Sequence, residues 1–378
     1  MKTNEDYLQE YVAERGLSKQ TYQTMKIILN HYSEFQNMSL HELLLEADKE
    51  EEERLRWKNR KLKTRLISYM NHLRENMTIN STRTYLKLVK AFYNHHEIEI
   101  HKLPKINEKN SITPSPITYN DLPDKEIIKQ AVEIAEPLMK ALILFLLSTG
   151  LSKVDALNIN IEEFIESTAH YHQNKKLDQV ETLHYLQQLS EKVDIIPTFR
   201  SRRQKTNKYF ITFCSPEATI EIINYLLLRN SKKELNKTDK LFKINPHTYT
   251  LKFEEINEVL GLSTVGSYNR FRGHMLRKFH ASNLAKAGMD RYLINVLQGK
   301  SNGAVDDVYF YEDENHLREE YLKHMHSLLI FSEVKEVTIH SEEYNVLKKE
   351  NEKLKEQISE IKRMQEDIDK LKEWFSVG

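Results

Sequence analysis

The sequence predicts a mainly α-helical protein with one small β-sheet, an α+β fold. Only 9 glycines and 8 prolines occur in 378 residues, so few positions interrupt long helices. Apolar residues recur at helical spacing through most of the chain. The exception is a pair of β-rich runs, residues 193–199 and 208–213. They flank a basic polar segment and predict a hairpin with Thr206 and Asn207 near its tip.

Residues 1–104 are predicted to form a small helical bundle. Apolar periodicity and capping signals predict helices over residues 5–13, 18–35 with Ser18 as the cap, 40–75 and 81–95. An apolar stripe on the third of these helices would pack against a stripe on the fourth. The two stripes consist of Leu66, Tyr69, Met70 and Leu73, and of Tyr85, Leu86, Val89 and Phe92.

A proline-rich segment separates this bundle from a second predicted domain. Four of the eight prolines fall in residues 104–123, so we assign residues 105–123 to an extended linker. Residues 124–332 follow as a mostly helical domain that contains the hairpin. The next helix is expected to begin after the hairpin, with Ser215 as its cap and Pro216 at its first position.

The chain has no net charge, because 56 basic residues balance 56 acidic ones. Only local runs of like charge are therefore informative about binding. Residues 54–65 hold seven basic residues and no acidic one, directly after an acidic run. Such a run indicates either a phosphate-binding surface or a solvated helix face. The candidate DNA-contacting residues in it are Arg54, Arg56, Lys58, Arg60 and Lys61.

Composition argues against a disulfide, a metal centre and a membrane span. Cys214 is the only cysteine, which excludes an internal disulfide and a thiolate zinc site. The histidines at 170, 172 and 184 lack a carboxylate or thiol at a usual ligand spacing, so we expect no metal. The best apolar run, residues 138–147, is about half a membrane span. With no recognisable signal peptide, we expect a cytoplasmic protein.

The C-terminal residues 341–376 carry a heptad pattern that predicts a coiled coil. The seam positions are Tyr344, Leu347, Asn351, Leu354, Ile358, Ile361, Gln365, Ile368, Lys372 and Phe375. The polar Asn351 and Gln365 would fix the register, which suits a homo-oligomer of low order. A single helix that packs on its own chain is the alternative.

The most informative motif lies in residues 273–288, where His274 and Arg277 stand three apart on a predicted helix. Residues at this spacing share a helix face and can converge on one small anion. The arginine is a permanent fork-shaped donor, and the histidine can donate a hydrogen bond or carry a proton near neutral pH. A phosphodiester fits this pair. Lys300 and, nine residues later, Tyr309 follow in the chain.

This order of residues resembles the C-terminal signature of the tyrosine recombinase (phage integrase) family, in particular archaeal mobile-element and virus integrases. The resemblance implies that Arg277 clamps the scissile phosphate and that His274 assists phosphate binding and proton transfer. Tyr309 would be the nucleophile, with Tyr311 as the rival. Lys300 stands where the family has a second His or Trp.

The predicted hairpin extends the resemblance, since tyrosine recombinases carry a catalytic lysine on such a hairpin. The matching position is Lys205, which would protonate the departing 5′ oxygen. The other basic residues of the hairpin would position phosphates without taking part in the chemistry. They are Arg200, Arg202, Arg203 and Lys208.

Residues 148–159 are similar to the family's T-G-L-R-x-S-E-L-x-x-L box but depart from it at one position. Ser152 stands where the family has the first of two phosphate-clamping arginines, and Lys153 follows. Lys153 could supply charge, although a lysine lacks the bidentate fork. The one-residue offset also turns the side chain by about 100° on a helix.

The resemblance implies a site-specific recombinase that cuts and rejoins double-stranded DNA through a 3′-phosphotyrosine, without a cofactor. Residues 1–104 would be the core-binding domain and residues 124–332 the catalytic domain of a DNA-bound tetramer. The expected role is integration or excision of a mobile element at the nucleoid. Two alternatives stay open. One is a recombinase-derived protein that binds or bridges DNA without cleaving it, and the other is a coiled-coil interaction protein with no DNA role. A steep salt dependence of DNA binding would exclude the last.

Overall fold

The computed structural model describes residues 2–106, 112–113, 116–173, 175–266, 268–301 and 313–331. The chain divides into two compact units, Met1–Pro116 and Ile117–Gly378, which we call the N-terminal and C-terminal units. Most of the described residues are helical, and the described strands form two-stranded sheets. The predicted fold class, mainly α with a small β-sheet, is confirmed. The boundary between the units lies within residues 105–123, the predicted linker.

The described part of the N-terminal unit is a bundle of five α-helices. They are α1 Asn4–Glu14, α2 Lys19–Gln36, α3 Leu40–Glu52, α4 Lys61–Asn76 and α5 Ile79–His95. Ser18 caps α2 as predicted, because its hydroxyl accepts a hydrogen bond from the backbone N–H of Thr21. The predicted stripes on α4 and α5 lie in the core of this unit, where Tyr85 is partly buried at the edge.

The prediction of one continuous helix over residues 40–75 is wrong. The chain leaves α3 after Glu52, Arg54 adopts a left-handed φ of 51°, and α4 begins only at Lys61. The Glu50 carboxylate accepts hydrogen bonds from the backbone N–H groups of Lys61 and Leu62. The acidic run therefore turns back to satisfy the open N-terminus of α4, which stabilises two helices in place of one.

The C-terminal unit is built around a buried apolar helix, α7. Its described helices are α6 Lys125–Ile134, α7 Pro137–Thr149, α8 Lys153–Asn158, α9 Ile161–Ser167, α10 Gln179–Ser190, α11 Pro216–Lys232, α12 Pro246–Val259, α13 Gly273–Lys286, α14 Arg291–Leu297 and α15 Glu314–His324. Helix α7 packs against α11 and α13, and nearly all of its side chains are buried. It ends at Gly150, whose φ of 62° lets the chain turn sharply into α8.

The predicted hairpin is present, but its first strand begins at Thr198, five residues after the start of the predicted run 193–199. Strands β1 Thr198–Arg202 and β2 Tyr209–Phe213 pair antiparallel. Asn207 has a φ of 53° near the tip, where asparagine tolerates the left-handed region. Ser215 caps α11 and Pro216 is its first residue, as predicted.

A second hairpin was not predicted from the sequence. Strands β3 Thr264–Val265 and β4 Tyr268–Asn269 have two residues each, too few to show an alternating pattern. This short hairpin directly precedes α13 and places Tyr268 beside its first turn.

Within the described residues, we find no helix with the length and hydropathy of a membrane span. The same residues contain no cluster of three or more His, Cys, Asp or Glu side chains arranged to hold a metal ion. The predicted coiled coil, residues 341–376, lies outside the described residues.

Candidate phosphate-binding site

A pocket of about 480 Å³ lies at the N-terminal end of α13, and basic side chains dominate its charge. It is lined by the start of α8, the β1–β2 loop, α12, β4 and the first turns of α13. Its basic lining residues are Lys153, Arg203, Arg272, His274 and Arg277, and Glu254 is the only acid among the lining residues. His274 and Arg277, predicted to share a helix face, therefore face the same pocket.

Arg277 is the most deeply buried cation of this pocket, with a relative exposure of 6%. Its guanidinium donates hydrogen bonds to the backbone carbonyls of Gly150 and Gln298, the latter at 2.8 Å. Burial and the neighbouring Arg203 lower the pKa of Arg277 to about 10, although Asp155 opposes the shift. Carbonyl oxygens orient the guanidinium but carry no full negative charge. Arg277 is thus fixed in place, and no carboxylate among the described residues forms an ion pair with it.

Four other basic groups around Arg277 also have lowered pKa values, which favours binding of an anion. Burial lowers the pKa of Lys153, of Arg272 and of Lys300, which lies near Arg277. His274 is an exposed residue, yet partial burial of its ring and the nearby cations lower its pKa as well. A lowered pKa in a base means that its charged form is destabilised here. An anion in the pocket would stabilise these charged forms, which burial chiefly destabilises, so the site is suited to a phosphate.

Behind Arg277 lies a buried polar pair, His280 and Gln298, which the sequence analysis did not single out. The Gln298 amide donates to the backbone carbonyl of Arg277 at 2.9 Å and lies 3.1 Å from His280 Nδ1. The Arg277 guanidinium in turn donates to the Gln298 carbonyl, so two reciprocal hydrogen bonds join α13 to the end of α14. The pair holds the backbone and side chain of Arg277 in one position.

We predict that His280 makes folding sensitive to acid. Burial is the main reason why the pKa of His280 is lowered to about 3, from an ordinary value of 6.5. Below pH 6.5 the unfolded chain binds a proton that the folded chain rejects, so stability is complete at higher pH and falls as pH decreases towards 3. Between pH 7 and pH 5, this group should remove about 2 kcal/mol from the free energy of unfolding.

The measurement is denaturant unfolding of the wild type and of His280→Gln across that pH range. The variant should lose about 2 kcal/mol less than the wild type between pH 7 and pH 5. His247→Gln removes an exposed imidazole of the same unit and is the matched control. Equal pH dependence in wild type and His280→Gln would contradict the prediction.

At the position where the resembled family has an arginine, the structure places a capping serine and an anchored lysine. Ser152 caps α8, and its hydroxyl lies 2.6 Å from an Asp155 carboxylate oxygen. The Lys153 ammonium donates to the Pro246 carbonyl at 2.6 Å and to the Thr250 hydroxyl at 2.9 Å. Lys153 therefore contributes charge to the wall of the pocket, while two of its three donors are already used.

On the β1–β2 hairpin, the residue that enters the pocket is Arg203, and the predicted Lys205 does not line it. Arg203 donates to the Gly299 carbonyl at 2.9 Å, whereas Lys205 is exposed at the tip. The Asp155 carboxylate accepts a hydrogen bond from the backbone N–H of Gln204 at 3.0 Å. This bond fixes the base of the tip against α8, and Lys205, one residue further on, is exposed to solvent.

Two other basic residues of the hairpin contact groups within the protein. Arg200 forms an ion pair with Glu314 of α15. Arg202 donates to the carbonyl of Asn207 at 3.1 Å. The charge of Arg200 is therefore balanced by a carboxylate, which reduces its value as a phosphate contact.

Lys300 is half-buried close to the pocket and is not one of its lining residues. After burial, the positive charges of Arg277 and Arg203 are the largest causes of its lowered pKa. Lys208 Nζ lies 3.5 Å from the Lys300 carbonyl oxygen. The structure thus gathers Lys208 and Lys300 beside the cationic pocket.

In the N-terminal unit, four of the five predicted DNA-contacting residues are exposed and one is buried. The exposed ones are Arg54, Arg56, Lys58 and Lys61. Arg60 is only 8% exposed, and its guanidinium donates to the Glu51 carboxylate at 2.6 Å and to the Leu55 carbonyl at 3.1 Å. Arg60 therefore acts as a structural residue that joins the end of α3 to the start of α4.

Tyr309 and its rival Tyr311 both lie outside the described residues, between Ser301 and Asp313. The assignment of the nucleophile stays a prediction from the sequence.

The residues that the sequence analysis missed differ in how far they could have been found. His280 stands three residues after Arg277, so the series His274, Arg277, His280 could have indicated a third member of the face. Arg272 precedes the helix, where helical spacing does not apply. Gln298 reaches Arg277 only through the tertiary contact between α13 and α14.

No protein-family model matches this chain, and no curated protein matches it. Among solved structures, it is similar to the Tn1549 transposon integrase in complex with circular intermediate DNA, with 14% identity, 85% of this chain and 99% of that chain covered, and a TM-score of 0.49. It is similar to XerA recombinase, with 19% identity and a TM-score of 0.35, and the match covers 85% of this chain and 98% of that chain. It is also similar to XerH site-specific recombinase bound to difH substrate, with 15% identity and a TM-score of 0.41. That match covers 68% of this chain and 69% of that chain. All three matches are recombinases or integrases. Because the identities are below 20% and the TM-scores below 0.5, function has to be inferred from the pocket itself.

Proposed function

We propose that the C-terminal unit binds a DNA phosphodiester in this pocket and that the protein is a site-specific DNA recombinase of the tyrosine type. The observation that carries the proposal is Arg277, a buried guanidinium fixed by two backbone carbonyls and surrounded by further cations. Among the described residues, no carboxylate forms an ion pair with Arg277, and Asp155 acts on it only from a distance, whereas a buried structural arginine is usually paired. A phosphate group supplies that charge and matches the fork of the guanidinium.

The pocket provides binding and charge stabilisation, and the chemistry needs a nucleophile from the chain. In the proposed step, the Tyr309 hydroxyl oxygen bonds to phosphorus while the bond from phosphorus to the 5′ oxygen breaks. A 3′-phosphotyrosine and a free 5′ hydroxyl result. A second 5′ hydroxyl can reverse the step, so strands are rejoined without an external energy source or cofactor.

His274 and Lys205 are the proposed proton carriers. The lowered pKa of His274 leaves its imidazole neutral at pH 7, so it can accept the tyrosine proton or donate a hydrogen bond to the phosphate. Lys205 is exposed at the hairpin tip, where DNA lying across the pocket could meet it, and it would donate the proton to the departing 5′ oxygen. Arg203, inside the pocket, would contact the phosphate directly.

The N-terminal unit is proposed to hold the duplex through the exposed Arg54, Arg56, Lys58 and Lys61. Assembly of a tetramer on double-stranded DNA, self-association through residues 341–376 and action on a mobile element of the archaeal type stay part of this proposal. They rest on the resemblance and the heptad pattern in the sequence.

A second candidate function is DNA binding without cleavage. It is favoured by one observation, namely that the position of the first family arginine holds Ser152, whose hydroxyl is used to cap α8 and contact Asp155. A protein of this kind would occupy or bridge its sites, and the same pocket would bind phosphate without transferring it.

Covalent trapping on a nicked duplex separates the two functions. The substrate is a DNA fragment from the ends of the mobile element, and binding of the protein to this fragment is shown first. The fragment carries a nick, so that the released strand diffuses away and the covalent adduct is trapped. We expect wild type and Tyr311→Phe to form a protein–DNA adduct in denaturing electrophoresis. Tyr309→Phe should form none, because its side chain has no hydroxyl to attack phosphorus.

Each variant controls for the other, since both remove one hydroxyl from the same short segment. Loss of the adduct with Tyr311→Phe alone would move the nucleophile to Tyr311. Absence of an adduct with wild-type protein, on DNA that it binds, would contradict cleavage and favour the second function.

A further inference from the structure

The pocket contains a third guanidinium besides Arg277 and Arg203, that of Arg272, which no motif indicated. Arg272 is the residue before α13, and its backbone is extended, with φ −159° and ψ 156°. Its guanidinium carbon lies 4.1 Å from the centre of the Tyr268 ring in β4. Tyr268 and Arg272 both line the pocket, together with His274 and Arg277. The short β3–β4 hairpin thus provides a platform that orients this arginine.

Arg272 has a buried donor without a partner. Its Nε is inaccessible to solvent and has no hydrogen-bond acceptor among the described residues. A buried donor that is left unpaired is unfavourable and rare in folded proteins, and binding of a ligand is one explanation for its presence. Burial also lowers the pKa of Arg272, with Tyr268 opposing the shift.

The other pocket cations make different contacts. Lys153 is anchored to the first turn of α12, and Arg203 donates to the Gly299 carbonyl. Lys153 also lies over an aromatic ring, that of Tyr249, but Arg272 stacks on Tyr268 with no side-chain hydrogen bond to another described residue. The stacking fixes the plane of its guanidinium without using its N–H donors. A planar donor held in this way is suited to bind an oxyanion edge-on.

We infer that Arg272 is a second phosphate clamp, which contacts one nonbridging oxygen of the scissile phosphodiester while Arg277 contacts the other. This inference rests on the proposed function. Arg272 would supply the guanidinium that Ser152 does not. Charge on the nonbridging oxygens in the transition state would then be stabilised from two sides by preorganised donors.

The test combines salt-dependent DNA binding with cleavage. Each phosphate contact contributes about 0.9 to the slope of log K against log salt concentration, so Arg272→Ala should lower that slope by about 0.9. Cleavage of the nicked substrate should fall by about 100-fold. Arg272→Lys should recover the slope but little of the cleavage, because an ammonium lacks the planar fork. Lys286→Ala is the matched control, an exposed cation about 20 Å away at the other end of α13.

The two readouts separate failure of this inference from failure of the proposed function. Wild-type slope and wild-type cleavage in Arg272→Ala would overturn the clamp and leave the recombinase proposal standing. If wild type forms no adduct, cleavage is excluded, and the slope still decides whether Arg272 contacts a phosphate. Arg272→Gln keeps the stem of the side chain over Tyr268 and replaces the alanine variant if circular dichroism shows that the latter is unfolded.

Discussion

Replacement of Arg277 with alanine is expected to reduce DNA cleavage by about 1,000-fold. The side chain is buried, and its two bonds to the Gly150 and Gln298 carbonyls fix it before any substrate arrives. A preorganised guanidinium stabilises charge on the phosphate without reorganisation during the reaction, so its loss should appear in the rate of the chemical step. Single-turnover cleavage at saturating protein measures that rate directly.

Arg277→Lys tests whether charge alone is sufficient. A single ammonium is a point donor and cannot reproduce the planar fork that spans the Gly150 and Gln298 carbonyls while it faces the phosphate. We therefore expect the lysine variant to recover less than about a tenth of the lost rate. Arg291→Ala removes an exposed arginine outside the pocket and should cleave like the wild type. Wild-type cleavage by Arg277→Ala would refute the role of this residue.

Arg277→Ala should change the free energy of unfolding by less than is usual when a buried side chain is removed. The substitution leaves two carbonyl acceptors without this donor, which is unfavourable. It also removes a buried cation whose pKa is lowered to about 10 by burial and by Arg203, which is favourable. Because the two effects oppose each other, we expect the free energy of unfolding to change by no more than about 2 kcal/mol. A folded but inactive variant would then be interpretable.

Gly150→Ala is expected to destabilise the C-terminal unit by about 3 kcal/mol. Gly150 has a φ of 62°, and an added Cβ would lie 2.6 Å from Nδ1 and 2.8 Å from Cε1 of His280. The His280 ring is fully buried and in contact with Gln298, so it has no free space to move into. Denaturant unfolding of the variant measures the loss.

Gly261→Ala is the matched control for this substitution. Gly261 has a φ of 60°, and an added Cβ would meet nothing within 4 Å. It should lose only the backbone contribution, about 1 kcal/mol, so the difference between the two variants isolates the clash. Equal destabilisation of both would contradict the steric argument.

A double variant, Gly150→Ala with His280→Ala, tests the same contact from the other side. Removal of the ring opens the space that the added methyl group needs. The double variant should therefore be more stable than the sum of the single effects predicts, by more than about 1 kcal/mol. Because Arg277 binds the Gly150 carbonyl, cleavage should follow the same pattern as stability.

Short-range patterns in the sequence were sufficient for the helical character of the chain and for several of its boundaries. Ser18 and Ser215 were predicted as helix caps, because a cap bonds to backbone groups only three residues away. The β1–β2 hairpin was predicted because its strands are neighbours in the sequence, although β1 begins at Thr198 and not at residue 193. The helix over residues 40–75 was wrong because Glu50 bonds to Lys61 and Leu62 across a turn that periodicity does not reveal.

The sequence by itself determined that His274 and Arg277 share one face of a helix, since that depends only on helical geometry. Tertiary structure alone decided which other groups join them. Lys153 is anchored by Pro246, 93 residues away, and Arg203 rather than Lys205 enters the pocket. These contacts depend on how separate elements pack, and residue spacing along the chain carries no information about that packing.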